Sequence, residues 1–382
     1  MQKNKCLFSL GEFNKKHLIL FFFAPITYFI NFYSVYYYEN KDKPVTETIQ
    51  TFSNYLGYII IHGSIYLFFY LKRICKKKKE KDIRIDKEID KKKTILFIFM
   101  IILDLSYSFL LILLFKPINM NYDRLMCLEV IFLWIFSFII LKNEIIKNKH
   151  QLISIIIMII GLIILTPSLL SDLKVNNSHK SLLIIGFILL HFINSIHYII
   201  GHHIFYNCEF NFYLGLLILG FIGIIFILII SFINYLENYN SLNLFNDFSI
   251  FLKKNNIYDL IKYITINSFI NGIDFTVIWL IFKFFKPWFY GTIIIINTLI
   301  LRIYIKYNKK ENIKVYEIIL YIILIFTTLV FNEQIICNFL GLNENTKIDI
   351  INRSEKDTYR LLQESAFQTD TDTDTDISND NK

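Results

Sequence analysis

The chain has 382 residues, of which 54% are hydrophobic, and carries a formal net charge of +8. A soluble chain of this length would form two or three domains, whereas a mean hydropathy of +0.46 marks a chain whose solvent is mostly lipid. That balance excludes a conventional soluble fold and predicts a helix bundle in a bilayer.

Apolar runs near the ~20 residues that a membrane-crossing helix needs recur about ten times. In chain order they are 17–38, 52–72, 94–115, 125–141, 151–170, 181–206, 212–236, 261–285, 288–305 and 313–336. Inside hydrocarbon every backbone N–H and C=O must be satisfied within its own segment, so these spans are expected to be helices despite their many β-branched residues. The expected fold class is an all-α polytopic membrane protein of about ten transmembrane helices, arranged as two inverted five-helix repeats. The expected division is a head at 1–16, a first repeat at 17–170 and a second at 181–336. A polar tail follows at 341–382.

Lys and Arg in short loops set the expected orientation. The head carries Lys3, Lys5, Lys15 and Lys16, and the loop at 73–93 holds the run Lys76 to Lys79, so both read as cytosolic. Ten spans return the C-terminus to the same side and place the 237–260 connection in the lumen, with a short amphipathic stretch near 248–252. One loop opposes this scheme: the 306–314 connection, with Lys309 and Lys310, is basic on the expected outer side. The first apolar run follows a polar head and is full-length, so it reads as a retained anchor rather than a cleaved signal.

The five cysteines, Cys6, Cys75, Cys127, Cys208 and Cys337, are scattered and without metal spacing, so neither disulfide nor metal nor cofactor is expected. No nucleophile–base pair or phosphate-binding glycine loop suggests an enzyme, and no nucleic-acid partner is expected.

Polar groups within spans are costly and mark a packed interior or a wet pathway. The sixth span places His191, Asn194, Ser195, Tyr198 and His202 on one helical face, the eighth does so with Asn267, Asn271 and Asp274, and the first with Thr27, Asn31 and Ser34. The third span carries Asp104, the fourth Glu129, the second His62 and the ninth Asn297. A mid-span carboxylate costs about 2.5–3.5 kcal/mol on insertion scales, which puts Asp104 and Asp274 first among candidates for a solute or proton pathway. The asparagines have a competing role as interhelical glue. Glu129 lies near the start of its span, where it can also reach the interface. His62, His191 and His197 titrate near neutrality, while His202 and His203 at a span end read as interfacial. The fifth and tenth spans are nearly devoid of such groups.

Two stretches repeat one pattern of span, basic turn and apolar span: LMCLEVIFLWIFSFIILKNEIIKNKHQLISIIIMIIGLIIL at 125–165 and TIIIINTLILRIYIKYNKKENIKVYEIILYIILIFTTLV at 292–330. On the run FIILKNEIIKNKHQLISIIIMIIGLIIL, the chain resembles the drug/metabolite transporter superfamily with its EamA-type repeat. Within it the chain looks most like the solute carrier family 35 subfamily F and chloroquine-resistance-transporter-like branch, supported by FSNYLGYIIIHGSIYLFFYLKR and IILDLSYSFLLILLF. The resemblance implies an aspartate shared at the Asp104 position and a cavity lined by spans one to four and six to nine. It also implies peripheral fifth and tenth spans that offer a face to a second copy in a homodimer.

The chain departs from that pattern in holding 12 glycines in total and in carrying Ile61 or His62 where some relatives have an acidic residue. The ninth-span Lys-Arg pair of phosphate translocators is reduced to Arg302, which speaks against a sugar-phosphate solute.

The resulting expectation is a secondary transporter moving a small polar or cationic organic solute (amino acid, peptide or amine-like) across an endomembrane by alternating access, with protons as candidate driving ions. A nucleotide-sugar exchanger and a transport-inactive scaffold are the alternatives. The tail ends in TDTDTDTD, a low-complexity segment expected to be disordered. Within it Asp357, Tyr359, Leu361 and Leu362 satisfy acidic-dileucine and Tyr-x-x-Φ sorting patterns.

Overall fold

The computed structural model describes residues 8–10, 19, 22–31, 33, 46–77, 91–115, 126–141, 148–172, 177–207, 210–237, 243–284, 287–308 and 314–337, with isolated positions at 342, 346 and 354. Strand β1 (Phe8–Leu10) comes first. Helix α1 follows as Phe22–Asn31. Helix α2 is one run built from Glu47–Gly57, a π-helical turn at Tyr58–His62, and Gly63–Lys77. Then come α3 (Lys91–Phe115), α4 (Met126–Leu141), α5 (Lys149–Asp172), α6 (Asn177–His202, ending in a π turn at His203–Asn207) and α7 (Phe212–Leu236). The chain closes with α8 (Leu244–Lys254), α9 (Ile257–Phe284), α10 (Pro287–Asn308), α11 (Val315–Phe331) and strand β2 (Ile335–Cys337).

Among the described residues five helices are long and apolar enough to cross a membrane: Lys93–Leu114, Leu182–Phe205, Phe212–Leu236, Ile257–Phe282 and Phe289–Asn308. Shorter apolar helices cover Phe22–Asn31, Leu128–Ile140, Lys149–Leu165 and Val315–Phe331. The protein is therefore an all-α chain of the multi-pass membrane type. Its outer surface is apolar: Ile156, Ile163, Ile229 and Ile322 are all exposed, as hydrocarbon-facing residues should be.

Helix starts follow local chemistry. Asn211 caps α7 by accepting from Leu214 N at 3.2 Å, and Asn243 caps α8 by accepting from Phe245 N and Asn246 N. Thr46 begins α2, and its hydroxyl donates to Asp247 Oδ2 of α8 at 2.8 Å, which ties the short amphipathic helix to the first turn of α2.

Helix pairing is regular. α2 packs on α7 and α9, α3 on α6, α4 on α6 and α10, and α5 on α11. The α2–α9 crossing is a backbone contact: a Cβ on Gly57 would lie 2.4 Å from Ser268 O, and one on Gly272 would lie 2.7 Å from Gly57 O. The chain spends two of its few glycines here because nothing larger than hydrogen fits. At one end of the bundle β1 pairs antiparallel with β2, Phe8 opposite Cys337. Residues 8–10 and 335–337 are thereby brought to the same face.

Several boundaries differ from expectation. The tenth span was expected to run to 336, but α11 stops at Phe331; Asn332 caps it, Glu333 adopts φ 57, and the chain turns into β2. Within the head at 1–16 residues 8–10 form β1, so among the described residues the all-α fold carries one small sheet. The basic loop expected at 73–93 is narrower, because α2 continues to Lys77 and α3 starts at Lys91. The 237–260 connection holds α8 together with the first turn of α9. Repeat edges shift likewise: α5 extends to Asp172 and α6 begins at Asn177. At α2, α3, α5 and α6 backbone hydrogen bonding carries the helix past the end of its apolar run, which hydropathy alone does not register.

Candidate functional site

One polar cavity of about 160 Å³ lies inside the bundle, lined from α1, α2, α3, α4, α6, α9 and α10. It runs from Glu47 and Gln50 in the half-buried first turn of α2 to the buried side chains of Tyr58, Ile278 and Tyr290. Beyond that floor the bundle is sealed by rings: Tyr58 meets Phe275 at 4.8 Å, Tyr198 stacks on Phe282 at 4.8 Å, and Trp279 stands edge-on to Tyr198 at 5.8 Å. Neither α5 nor α11 contributes a lining residue.

Among the described residues four carboxylates line it, Glu47, Asp104, Glu129 and Asp274, with no Lys or Arg. Three are buried at 3–6% exposure and each has its own cradle. Asp104, mid-helix on α3, accepts at Oδ2 a 2.8 Å hydrogen bond from the Tyr55 hydroxyl, which also lies 2.8 Å from Ser108 Oγ. On its other side His197 Nε2 of α6 stands 3.7 Å from Oδ1. Glu129 on α4 meets a full turn of α6: His191 Nδ1 lies 3.1 Å from Oε2, Asn194 Nδ2 donates to Oε1 at 3.0 Å, and Ser195 Oγ donates to the Glu129 carbonyl at 3.2 Å. The i, i+3, i+4 spacing of the α6 stripe makes this three-point contact possible. Asp274 on α9 accepts from Thr27 Oγ1 at 2.9 Å and Asn31 Nδ2 at 3.2 Å, both on α1.

Five lining groups have polar atoms with no hydrogen-bond partner among the described residues: Thr51 Oγ1, Asn54 Oδ1, His191 Nε2, His197 Nε2 and Asn271 Nδ2. A buried polar atom left unpaired costs about 1–3 kcal/mol. Orphans from α2, α6 and α9 gathered around one cavity are therefore what a site made for a polar occupant presents.

Of the residues singled out from sequence, Asn31, Asp104, Glu129, His191, Asn194, Tyr198, Asn271 and Asp274 converge on this cavity. His62 and Asn297 do not. The π turn rotates His62 off the cavity face, where Nδ1 lies 3.2 Å from the Tyr58 carbonyl and Nε2 3.1 Å from Thr276 Oγ1. Asn297 is buried within α10 away from the lining. His202, expected at the interface, is buried and hydrogen-bonded to the Phe282 carbonyl. Asp357, Tyr359, Leu361 and Leu362 lie outside the described residues, as does Ser34.

Sequence reasoning passed over Tyr55, Thr51, Asn54 and Tyr290. The available signal was the i, i+3, i+4 row Thr51, Asn54, Tyr55, Tyr58, which continues the polar face of α2 toward its N-terminus. Arg302 is accounted for elsewhere: its Nε lies 3.3 Å from Glu317 Oε2 of α11, both side chains buried.

No protein-family model matches the chain, and no curated protein matches it. The chemistry of the cavity therefore carries the functional reading.

Proposed function

We propose that the chain is a secondary transporter of the drug/metabolite type that moves a small organic cation across an endomembrane by alternating access, coupled to protons. The observation that carries this reading is the lining of the cavity, which among the described residues has four carboxylates, several tyrosines and no Lys or Arg. A cationic headgroup finds both charge and aromatic faces there, and cation–π contact adds about 0.5–2 kcal/mol in a desolvated site. An anionic solute would meet repulsion without a single fixed positive partner. The neutralisation of Arg302 by Glu317 weighs further against a nucleotide-sugar or sugar-phosphate cargo.

The proposed architecture is ten spans in two inverted sets of five, α1–α5 and α6, α7, α9, α10, α11. Helix pairing supports it. Under a pseudo-two-fold axis the pairs α2–α7, α4–α10 and α5–α11 each map onto themselves, and all three pack. The α3–α6 seam maps onto α9–α1, where Asp274 meets Thr27 and Asn31. The α4–α6 seam maps onto α10–α1, where Phe29 meets Tyr304 edge-on at 5.3 Å. One pair breaks the rule: α2–α9 is tight, whereas its counterpart α7–α3 is thin. Such inequality between equivalent seams is what a carrier halted in one of its two facing states would present.

The β1–β2 pairing supports an even number of crossings, with both ends on the side that the basic loops assign to the cytosol. In this reading the 357–362 motif supplies the endomembrane address, and α5 with α11 offers a face to a second copy.

The test is reconstitution in liposomes with an imposed pH gradient and pooled labelled amines, amino acids, peptides and nucleotide sugars. Uptake of an amine or other cation that collapses with the gradient, and that is lost in Asp104→Asn at normal expression, is the expected result. Silence across every pool with a verified fold would move the protein to the class of transport-inactive scaffolds.

A further inference from the structure

Asp104 and Asp274 are met in the same way from opposite sides of the cavity. Each lies mid-helix, on α3 and α9, and each faces a helix of the other set, α6 and α1 respectively. Their partners differ in chemistry. Asp274 is held by a hydroxyl and an amide, Thr27 and Asn31. Asp104 faces the imidazole of His197, and six residues earlier on α6 His191 is bonded to Glu129.

We propose that the two sides of the cavity have separate tasks: Asp274 binds the cationic headgroup of the solute, whereas His191 and His197, set against Glu129 and Asp104, take up and release the coupled proton. This assignment rests on the transport reading above.

Neither partner of Asp274 titrates near neutrality, so its carboxylate has no neighbour with which to share a proton. An ionised carboxylate offers about four lone-pair sites, of which Thr27 and Asn31 occupy two. The remainder can face a ligand. Asn271, nearly one turn back on α9, adds an orphaned Nδ2 to the same wall. The headgroup pocket is completed by Tyr58, Phe275 and Tyr290, whose rings border the floor.

The α6 side is built differently. With Nδ1 of His191 engaged by Glu129 Oε2, its Nε2 lone pair is left on the cavity wall without a partner. A proton arriving from the cavity lands on that nitrogen, and the adjoining carboxylate balances the resulting imidazolium. His197 and Asp104 stand at 3.7 Å, beyond hydrogen-bond reach, so protonation of the ring supplies the attraction that closes the gap. The other carboxylates facing this pair of imidazoles across the cavity are Asp274 and Glu47. The phenols of the lining are Tyr28 of α1, Tyr55 and Tyr58 of α2, Tyr107 of α3, Tyr198 of α6 and Tyr290 of α10. Among the described residues no Lys or Arg lines the cavity to compete as a fixed cation. Both imidazole pairs also bridge α6 to α3 and α4, which belong to the other set of helices, so their charge state bears on the seam along which the two sets would rock.

Separate sites make the two functions separable by mutation. The full chain is placed in liposomes and assayed with labelled tetramethylammonium, whose charge does not titrate, so any pH dependence belongs to the protein. Exchange at equal pH reports headgroup binding; accumulation driven by a pH gradient reports coupling. Asp274→Asn is expected to lose exchange by about tenfold or more. His191→Gln and His197→Gln are expected to lose gradient-driven accumulation by a factor several times larger than their loss of exchange, with a flattened pH profile. Should Asp274→Asn fail to fold, Asp274→Glu decides the same point through a raised half-saturation concentration. Wild-type exchange persisting in Asp274→Asn, or histidine variants that lose exchange and accumulation in equal proportion, would overturn the assignment and leave the transport reading standing. Absence of wild-type exchange and of any thermal shift with tetramethylammonium would overturn both.

Discussion

The Tyr55 hydroxyl donates a 2.8 Å hydrogen bond to Asp104 across the α2–α3 seam, and both groups are buried. A mid-membrane carboxylate needs such a donor, because hydrogen bonds to charged groups contribute about 1.5–3 kcal/mol net and offset much of the cost of burying it.

Tyr55→Phe and Asp104→Asn should therefore be non-additive. Each removes the same charge-assisted bond, so the double variant is expected to be about 1 kcal/mol less destabilised than the sum of the singles. Thermal melts of the four proteins in one lipid mixture check this, and strict additivity would remove the bond from the account of Asp104.

Gly57→Ala should lower the melting temperature clearly, because its Cβ would lie 2.4 Å from the Ser268 carbonyl and 3.0 Å from Gly272 N. Overpacking of this kind costs about 1–3 kcal/mol. Gly63→Ala, whose Cβ would meet only the flexible end of Leu217 at 3.1 Å, is the matched control and should melt close to the parent. Equal shifts in the two variants would contradict backbone contact at the α2–α9 crossing.

The Arg302–Glu317 pair joins α10 to α11 with both side chains 3–4% exposed. Arg302→Met alone strands a buried carboxylate and is expected to cost about 3–5 kcal/mol, whereas Arg302→Met with Glu317→Leu should recover most of that loss. The fraction surviving a heat step, read by size-exclusion chromatography, separates the outcomes. A double variant no better than the single would mean that one of these side chains has a further buried partner.

Cys337 reports on the sheet that joins the chain ends. Burial pushes its thiol above the ordinary value, so at neutral pH less thiolate is present and alkylation is slow. In a protein keeping Cys337 as its one cysteine, deletion of residues 2–10 removes β1 and should raise the alkylation rate severalfold. An unchanged rate would mean that Val330 and Leu342, which pack against Cys337, shield it without the strand.

The membrane character was legible because hydrocarbon acts on each segment separately: a run of apolar residues is long enough to cross or it is not. That rule placed α4 and α7 within a residue of their observed ends. It located Asp104, Glu129 and Asp274 as costly groups needing partners. The amphipathic stretch at α8 was equally local and equally readable.

Which polar faces meet was decided only in three dimensions, since the relevant contacts join residues far apart in sequence and depend on helix rotation. Thr27 and Asp274 are 247 positions apart. A single π turn in α2 leaves Tyr58 on the cavity and carries His62 away from it, a change of face that 3.6-residue periodicity does not encode. Tyr55, one aromatic residue among 24 tyrosines, became notable once α3 brought Asp104 to its hydroxyl. The sequence thus determined that the chain lives in lipid and which groups would be expensive there, because those are properties of single segments. The tertiary structure alone decided which of them share one acidic cavity and which are spent on packing, because a buried charge is satisfied by whatever distant helix the fold lays against it.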